Sequence, residues 1–366
     1  MSTNSSSVPR ARIAVVAIGR NEGERLPRCI ASVRAANQTN ELEIAGIIYV
    51  DSDSSDDSPQ LAEQAGIRVI RLRDGQMTAA RGRNAGWRVA AQTLQPDFIL
   101  FLDGDTVLHP DFPLLAWQFL VLNPEVAAVF GQRRELAGNH SIYTRVLNLD
   151  WVCDPGERAF FGGDTLIRFH ALREAGGFDS TLIAGEEPDL CRRLRERNWQ
   201  IQHLAIPMTD HDLAIYRFGQ YWRRLLRAGY AFAQVSARFR STGDPFWSAE
   251  ARRNRISGIL WAGTFLPVFT ATLLAALLPP DTLGVFAEHR RLMALLPLSL
   301  WLAMLVAMAL RTAYRYRWKS DSWVTLILYG LHSHLQQVPI VIGQLVWWLD
   351  HRADRPRGLM EYKDIR

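Results

Sequence analysis

Along the first hundred residues, short apolar runs bounded by polar clusters alternate with stretches of helical periodicity. Arg12-Ile13-Ala14-Val15-Val16-Ala17-Ile18 is a β-branched run, closed by Gly19-Arg20-Asn21-Glu22 and followed by a helical stretch through Cys29, Ile30 and Val33. Ile44 to Val50 predicts a second strand. It ends in Asp51-Ser52-Asp53-Ser54-Ser55-Asp56-Asp57-Ser58, small acidic and hydroxylic residues that suit a loop entering a helix N-cap with Pro59 in the first turn. Leu61 to Ala65 reads as helix, Arg68 to Leu72 as strand, Ala79 to Ala91 as helix and Phe98 to Leu102 as a fourth strand. This alternation predicts an α/β domain whose strands run parallel with helices on both faces.

The polar residues at the strand ends change the picture from fold to chemistry. Open α/β sheets bind ligands beyond the carboxyl ends of their strands. There the chain places Asn21 and Glu22, then Asp51 and Asp53, then Asp103-Gly104-Asp105. Two carboxylates flanking a glycine can serve one hard cation, Mg or Mn, that carries a substrate phosphate. Asp and Gly are equally ordinary in turns. Further on, Asp210-His211-Asp212 follows the apolar stretch Ile201 to Met208, and a lone His beside acids is more often a surface residue than a ligand.

Composition divides the 366 residues into unlike parts. Residues 1–10 are Ser-rich and polar, without the apolar core of a secretory signal, and are expected to be disordered. Cys29, Cys153 and Cys191 are odd in number and widely spaced, which suggests neither a disulfide framework nor a zinc site. Residues 11–215 have the mixed charge of a soluble domain. Residues 216–255 form a basic interfacial segment: Arg217 to Arg255 holds nine Arg and two acids, a net +7 against +5 for the whole chain. Such a segment suits anionic lipid headgroups, and no nucleic-acid partner is expected.

Residues 256–350 read as a membrane region. Two segments, 256–278 and 292–310, have about the roughly 20 apolar residues that a crossing helix requires. The link between them carries Arg290 and Arg291, whereas Arg311, Arg315, Arg317 and Lys319 follow the second span, so charge bias places the first domain on the cytoplasmic side of an inner membrane. The third segment, 323–349, holds His332, His334, Gln336 and Gln337 at its middle, where polar groups are costly in lipid. It is expected to be re-entrant or interfacial, with a basic tail over 351–366.

The strand-end motifs resemble those of the family 2 glycosyltransferases, inverting enzymes of the GT-A fold, here of a membrane-anchored bacterial type. Asn21-Glu22 is similar to the pair that ends their first strand, Val50-Asp51 through Asp56 to their V-D-x-x-S-x-D loop, and Asp103-Gly104-Asp105 to their D-x-D. Arg81-Gly82-Arg83-Asn84-Ala85-Gly86 resembles their Ala-Arg-Asn-x-Gly helix. Phe161-Gly162-Gly163-Asp164 and Ala175-Gly176-Gly177-Phe178-Asp179 resemble the Gly-rich segment leading to G-G-F-D, and Gly185-Glu186-Glu187-Pro188-Asp189-Leu190 resembles G-E-D-x-D-L. Gln220-Tyr221-Trp222-Arg223-Arg224 is similar to the Q-x-x-R-W of processive members, with Arg224 where Trp belongs.

The resemblance implies a GT-A mixed sheet, a nucleotide-sugar donor (commonly a UDP-sugar) and a divalent cation, Mg or Mn. It makes Glu187 the general base, with Glu in place of the family's Asp and Glu186 and Asp189 as neighbouring candidates. Asn21, Glu22, Asp51, Asp53, Arg81, Asn84 and Asp103 become nucleotide-binding residues, and Asp105 and His211 metal ligands. Gly162, Gly163, Trp222, Arg223 and Arg224 are assigned to diphosphate or acceptor. With a membrane anchor, the implied acceptor is lipid-linked or membrane-delivered, in cell-envelope glycan synthesis. Two other readings stay open on the residues: Asp103-Gly104-Asp105-Thr106 also resembles the D-x-D-x-T of haloacid dehalogenase-like phosphatases, and the same acids suit a non-catalytic nucleotide-sugar-binding scaffold.

Overall fold

A computed structural model of the chain describes residues 10–243, 245–277 and 290–354. The disorder expected for the N-terminus, the loop joining the two apolar segments and nearly all of the basic tail lie outside the described residues. The described chain forms two compact units. One takes the chain up to Gly138 together with Trp151–Ala214, and the other takes Asn139–Asp150 and the chain from Ile215 onward.

The first unit begins as the periodicity predicts: β1 (Ala11–Gly19), α1 (Arg25–Arg34), β2 (Leu42–Asp51), α2 (Ser58–Gln64), β3 (Arg68–Arg71), α3 (Ala79–Thr93) and β4 (Phe98–Asp103). After β5 (Thr106–Leu108) come α4 (Phe112–Leu122) and β6 (Val126–Glu135). The chain then contributes α5 (Ile142–Asp150) to the second unit and returns with β7 (Gly156–Glu157), β8 (Thr165–Arg168), α6 (Phe169–Glu174), α7 (Glu186–Arg195) and β9 (Gln200–His211).

The sheet order is β3-β2-β1-β4-β8-β6-β9-β5, with β7 paired to β9. The first four strands in that order run parallel, as predicted. The rest depart from the all-parallel reading: β8 lies antiparallel between β4 and β6, and β5 is antiparallel to β9. The sheet is mixed, as the resemblance to the GT-A fold implies. Pairing across the sheet depends on long-range packing that local periodicity does not encode.

Both faces of the sheet are covered, so the apolar runs need no polar alternation. Val16, Val50, Phe101 and Phe178 pack on one face, and Val15, Leu100, Leu102 and Phe112 on the other. Helix α3 seats so closely that a Cβ added at Gly86 would overlap Val16 Cγ1 and lie 3.1 Å from Val50 Cγ2.

The second unit is helical: α5, α8 (Phe218–Phe239), α9 (Ser248–Leu277), α10 (Arg290–Arg315), a 3₁₀ turn (Arg317–Lys319), α11 (Trp323–Leu335) and α12 (Gln337–Arg352). Glycines let helix backbones meet, Gly229 of α8 against Ile340 of α12 and Gly343 of α12 against Leu226 of α8. Within this unit, His332 joins Tyr221 (Nδ1 to Oη, 2.6 Å) and Asp150 (Nε2 to Oδ2, 3.3 Å). Among the described residues, two helices are long and apolar enough to cross a membrane, Ser248–Leu274 and Leu295–Arg315, with mean hydropathy 1.5 and 1.8. Only 17% of either apolar window is buried, which a core helix would not show. The third apolar segment is two helices, α11 and α12, meeting at Gln336, and neither reaches spanning length.

Candidate active site

The loops after β1, β2 and β4 meet at one end of the sheet. Asn21 adopts φ +55° and Asp53 φ +61°, the left-handed region that Asn and Asp tolerate better than most residues. Asn21 Oδ1 accepts from the Ser55 N–H at 2.8 Å, and Asp51, buried, accepts from the Ser54 N–H at 3.0 Å. Ser58 Oγ accepts from the N–H groups of Glu22 and Gly23, both at 2.9 Å, while buried Glu22 pairs with Arg25. These contacts tie the first two strand ends together and leave Asp53 exposed.

The D-x-D lies deeper. Asp105 is 3% and His211 5% exposed, with His211 Nε2 at 3.3 Å from Asp105 Oδ2. They meet because β9 runs between β6 and β5, where His211 pairs in register with Thr106 on one side and Glu135 on the other. Asp103 is gripped by two guanidinium groups, Arg83 Nη2 at 3.0 Å from Oδ1 and Arg133 Nη2 at 3.1 Å from Oδ2. Burial pushes its pKa up, but those two cations outweigh burial and hold the carboxyl below its ordinary range. Asp164 accepts from the Asp103 N–H at 2.9 Å and from Thr209 Oγ1 at 2.7 Å, and burial lifts its pKa to about 6. At Gly163 the backbone comes so near that an added Cβ would lie 2.5 Å from Asp103 Oδ2, whereas nothing crowds Gly162.

Helix α7 presents its acids from its first turn, after Gly185 at φ +86°, and its basic residues from its last, the order the helix dipole favours. Arg83 Nη1 lies 2.8 Å from Glu186 Oε1 and 3.0 Å from Glu187 Oε1. Asp189 is engaged elsewhere, in an i,i+4 pair with Arg193 at 2.8 Å. Of the three, Glu187 has the most exposed side chain, 15% against 4% for Glu186 and 2% for Asp189. Burial first, and then the neighbouring Glu186, pushes its pKa up to about 7 against the pull of Arg83.

Two residues expected to bind nucleotide are engaged within the protein. Arg81 donates to the carbonyls of Asp74 and Gln76, both at 2.6 Å, and it is Arg83 on the same helix that reaches the acids. Asn84 is buried and bonds the Phe178 backbone in both directions, to its carbonyl at 2.7 Å and from its N–H at 3.0 Å, while also accepting from Trp87 Nε1. Its amide joins the two motifs. Trp222, Arg223 and Arg224 lie on α8 in the second unit, with Arg223 exposed and Trp222 against Phe218.

Arg83, Arg133, Glu135 and Asp164 were not singled out from the sequence. Each had a signal: Arg83 and Asp164 sit inside matched motifs, and Gln132-Arg133-Arg134-Glu135 is one more polar strand end.

Asp103, Asp105 and His211 offer ligand atoms that all lie within 4.8 Å of one another. Carboxylate oxygens with one imidazole suit Mg or Mn. The surroundings favour a cation as well: Asp103, Asp105, Glu135, Asp164, Glu186 and Glu187 outnumber the two guanidinium groups and one imidazole among them, and burial raises the pKa of Glu135, Asp164 and Glu187. Because both oxygens of Asp103 already bind Arg, Asp105 and His211 are the better donors. The same engagement argues against Asp103 as the free nucleophile that the phosphatase reading requires.

A family model described as glycosyl transferase family 2 matches residues 14–223, more than half of the chain. A pre-mycofactocin glycosyltransferase of Mycobacterium tuberculosis is 29% identical over 220 residues, which cover 55% of this chain and 42% of that protein. A probable glucomannan 4-beta-mannosyltransferase of Oryza sativa is 27% identical over 164 residues, 41% of this chain and 31% of the relative. The chain thus spans less than half the length of these relatives. Among solved structures, a mannosyltransferase from Pyrobaculum calidifontis in complex with GDP-Man and Mn2+ is 19% identical at a TM-score of 0.49, over 89% of this chain and 88% of that one, a likeness from which no role is transferred.

Proposed function

Because the chain belongs to glycosyl transferase family 2, we propose that it is a glycosyltransferase that moves a sugar with inversion from a nucleotide sugar, a UDP-sugar, to a lipid-linked or membrane-delivered acceptor, with Glu187 as general base. The observation that carries this reading is the single buried guanidinium of Arg83, which binds Asp103 of the D-x-D and Glu187 of α7 together. Such a link holds a candidate base at a set distance from the donor end of the site. A base with a pKa near the working pH is well matched to proton transfer.

Glu187 takes the proton of the acceptor hydroxyl as the oxygen attacks the anomeric carbon from the face opposite the nucleotide. Asn21, Glu22, Asp51 and Asp53 orient the nucleoside, with Arg83 and Arg133 keeping Asp103 ionised beside it. Asp105 and His211 would hold Mg or Mn, which would supply positive charge to offset the charge that builds on the leaving diphosphate. An acceptor or diphosphate role for Trp222, Arg223 and Arg224 rests on their place in the Q-x-x-R-W-like motif.

The two exposed apolar helices support anchoring as two spans of an inner membrane, with α11 and α12 re-entrant or interfacial and the catalytic unit cytoplasmic by charge bias. The lipid-linked acceptor follows from that anchor.

The deciding experiment incubates the full chain in detergent with Mn or Mg, membrane-lipid extract as acceptor source and a panel of uridine, guanosine and thymidine diphosphate sugars; the name of the plant relative brings mannose into the panel. Nucleoside diphosphate release from one donor, lost in Glu187→Gln while donor binding persists, supports the enzyme. Release that survives Glu187→Gln removes the base assignment. Donor binding with no turnover by the parent chain favours the scaffold.

A further inference from the structure

His211 is held on several sides, and one of its neighbours has no part in the reading above. Glu135 ends β6, its side chain 1% exposed, and its Oε2 stands 3.9 Å from His211 Nδ1, an electrostatic approach longer than a hydrogen bond, while Asp105 faces Nε2. The backbone fixes this placement, since Glu135 is the register partner of His211 and the Leu136 N–H donates to the His211 carbonyl at 2.9 Å. The Leu213 N–H reaches both Glu135 oxygens, at 3.2 and 3.3 Å, so the carboxylate cannot swing away without losing a buried partner. Trp151 meets the imidazole edge-on, with ring centroids 5.2 Å apart, and lies under the Arg133 guanidinium at 5.1 Å.

We propose that Glu135 is a positioning residue for His211: its carboxylate keeps the imidazole proton on Nδ1 and leaves the Nε2 lone pair facing Asp105 for a divalent cation. A neutral imidazole has one donor and one acceptor nitrogen, and a carboxylate beside one nitrogen selects the tautomer protonated there. Outer partners of this kind orient ligating histidines and raise their basicity. The inference rests on the reading in which Asp105 and His211 hold the ion.

The test is Mn2+ binding to the full chain in detergent, followed by the electron paramagnetic resonance of free Mn2+, which needs no substrate. In Glu135→Gln the amide oxygen is retained by the Leu213 N–H, which turns the NH2 toward Nδ1 and selects the wrong tautomer. Mn2+ affinity should fall about 10- to 100-fold, with the melting temperature in chelator unchanged. Glu135→Asp keeps the charge at shorter reach and should retain more affinity than the Gln variant. Affinity within twofold of the parent in Glu135→Gln overturns the proposal, and so does equal loss in the Asp and Gln variants, which assigns the effect to packing. If the parent chain itself binds no Mn2+, the metal reading fails first and the inference falls with it.

Discussion

Arg83 Nη1 lies 3.0 Å from Glu187 Oε1 in a setting where the arginine side chain is 3% exposed. The same guanidinium also reaches Glu186 and Asp103. One buried cation thus compensates three acids from two sequence motifs, the D-x-D and the start of α7. Removing one partner of a buried ionic cluster is far more costly than never having built it, because the remaining charges stay in a poor solvent.

Arg83→Met is therefore expected to lower stability by about 3–5 kcal/mol, measured by denaturant titration of the detergent-solubilised chain. Arg83→Lys keeps a charge but loses the planar fork, and should fall between Met and the parent.

The pH dependence follows from Glu187, whose pKa is raised to about 7. As a base it must be ionised, so kcat/KM should rise with pH and level off above about 7. Stability moves the opposite way. Between the ordinary glutamate value of 4.5 and about 7 the folded chain keeps a proton that the unfolded chain has lost, so this contribution is complete below 4.5 and is lost as pH rises through 7. The melting temperature of the parent should fall relative to Glu187→Gln over that window. Parallel melting curves would sink the assignment.

Chelation should abolish nucleoside diphosphate release, and added Mn or Mg should restore it. Asp105→Asn and His211→Ala should each weaken Mn2+ binding measured without substrate, whereas Asp53→Asn, at an exposed loop position, should leave it unchanged.

Gly86→Ala places a methyl group against Val16 and Val50, at the seat of α3 on the sheet. Overpacking of this sort should cost about 1–3 kcal/mol, readable as a lower melting temperature. Asn84→Ala strands the Phe178 N–H and the Trp87 indole N–H in the interior and should cost more, roughly 1–3 kcal/mol for each unmade bond.

The sheet's first half was legible because buried parallel strands are written as continuous β-branched runs and their polar ends as abrupt changes of composition. Ile13 to Ile18, Ile44 to Val50 and Phe98 to Leu102 all fall inside the observed strands. The interruption at Gln336 was legible in outline, since His332, His334, Gln336 and Gln337 break an otherwise apolar segment, although its division into α11 and α12 was not. The choice between Arg81 and Arg83 was not legible. Both lie in one motif, and which of them is buried depends on the face by which α3 packs, a matter of contacts with β1 and the Phe178 loop.

By itself, the amino-acid order determined the elements, their polar ends and the motifs of the family, because periodicity and turn chemistry are local. It also determined that Asp103, Asp105, Glu187 and His211 would be the residues to watch. Only the tertiary structure decided how they are held. The antiparallel insertion of β8 and the pairing of β9 between β6 and β5 bring Glu135, His211 and Asp105 to one place. Long-range strand pairing has no local signature, so the charges that surround a site, unlike the acids that announce it, appear only when the chain is folded.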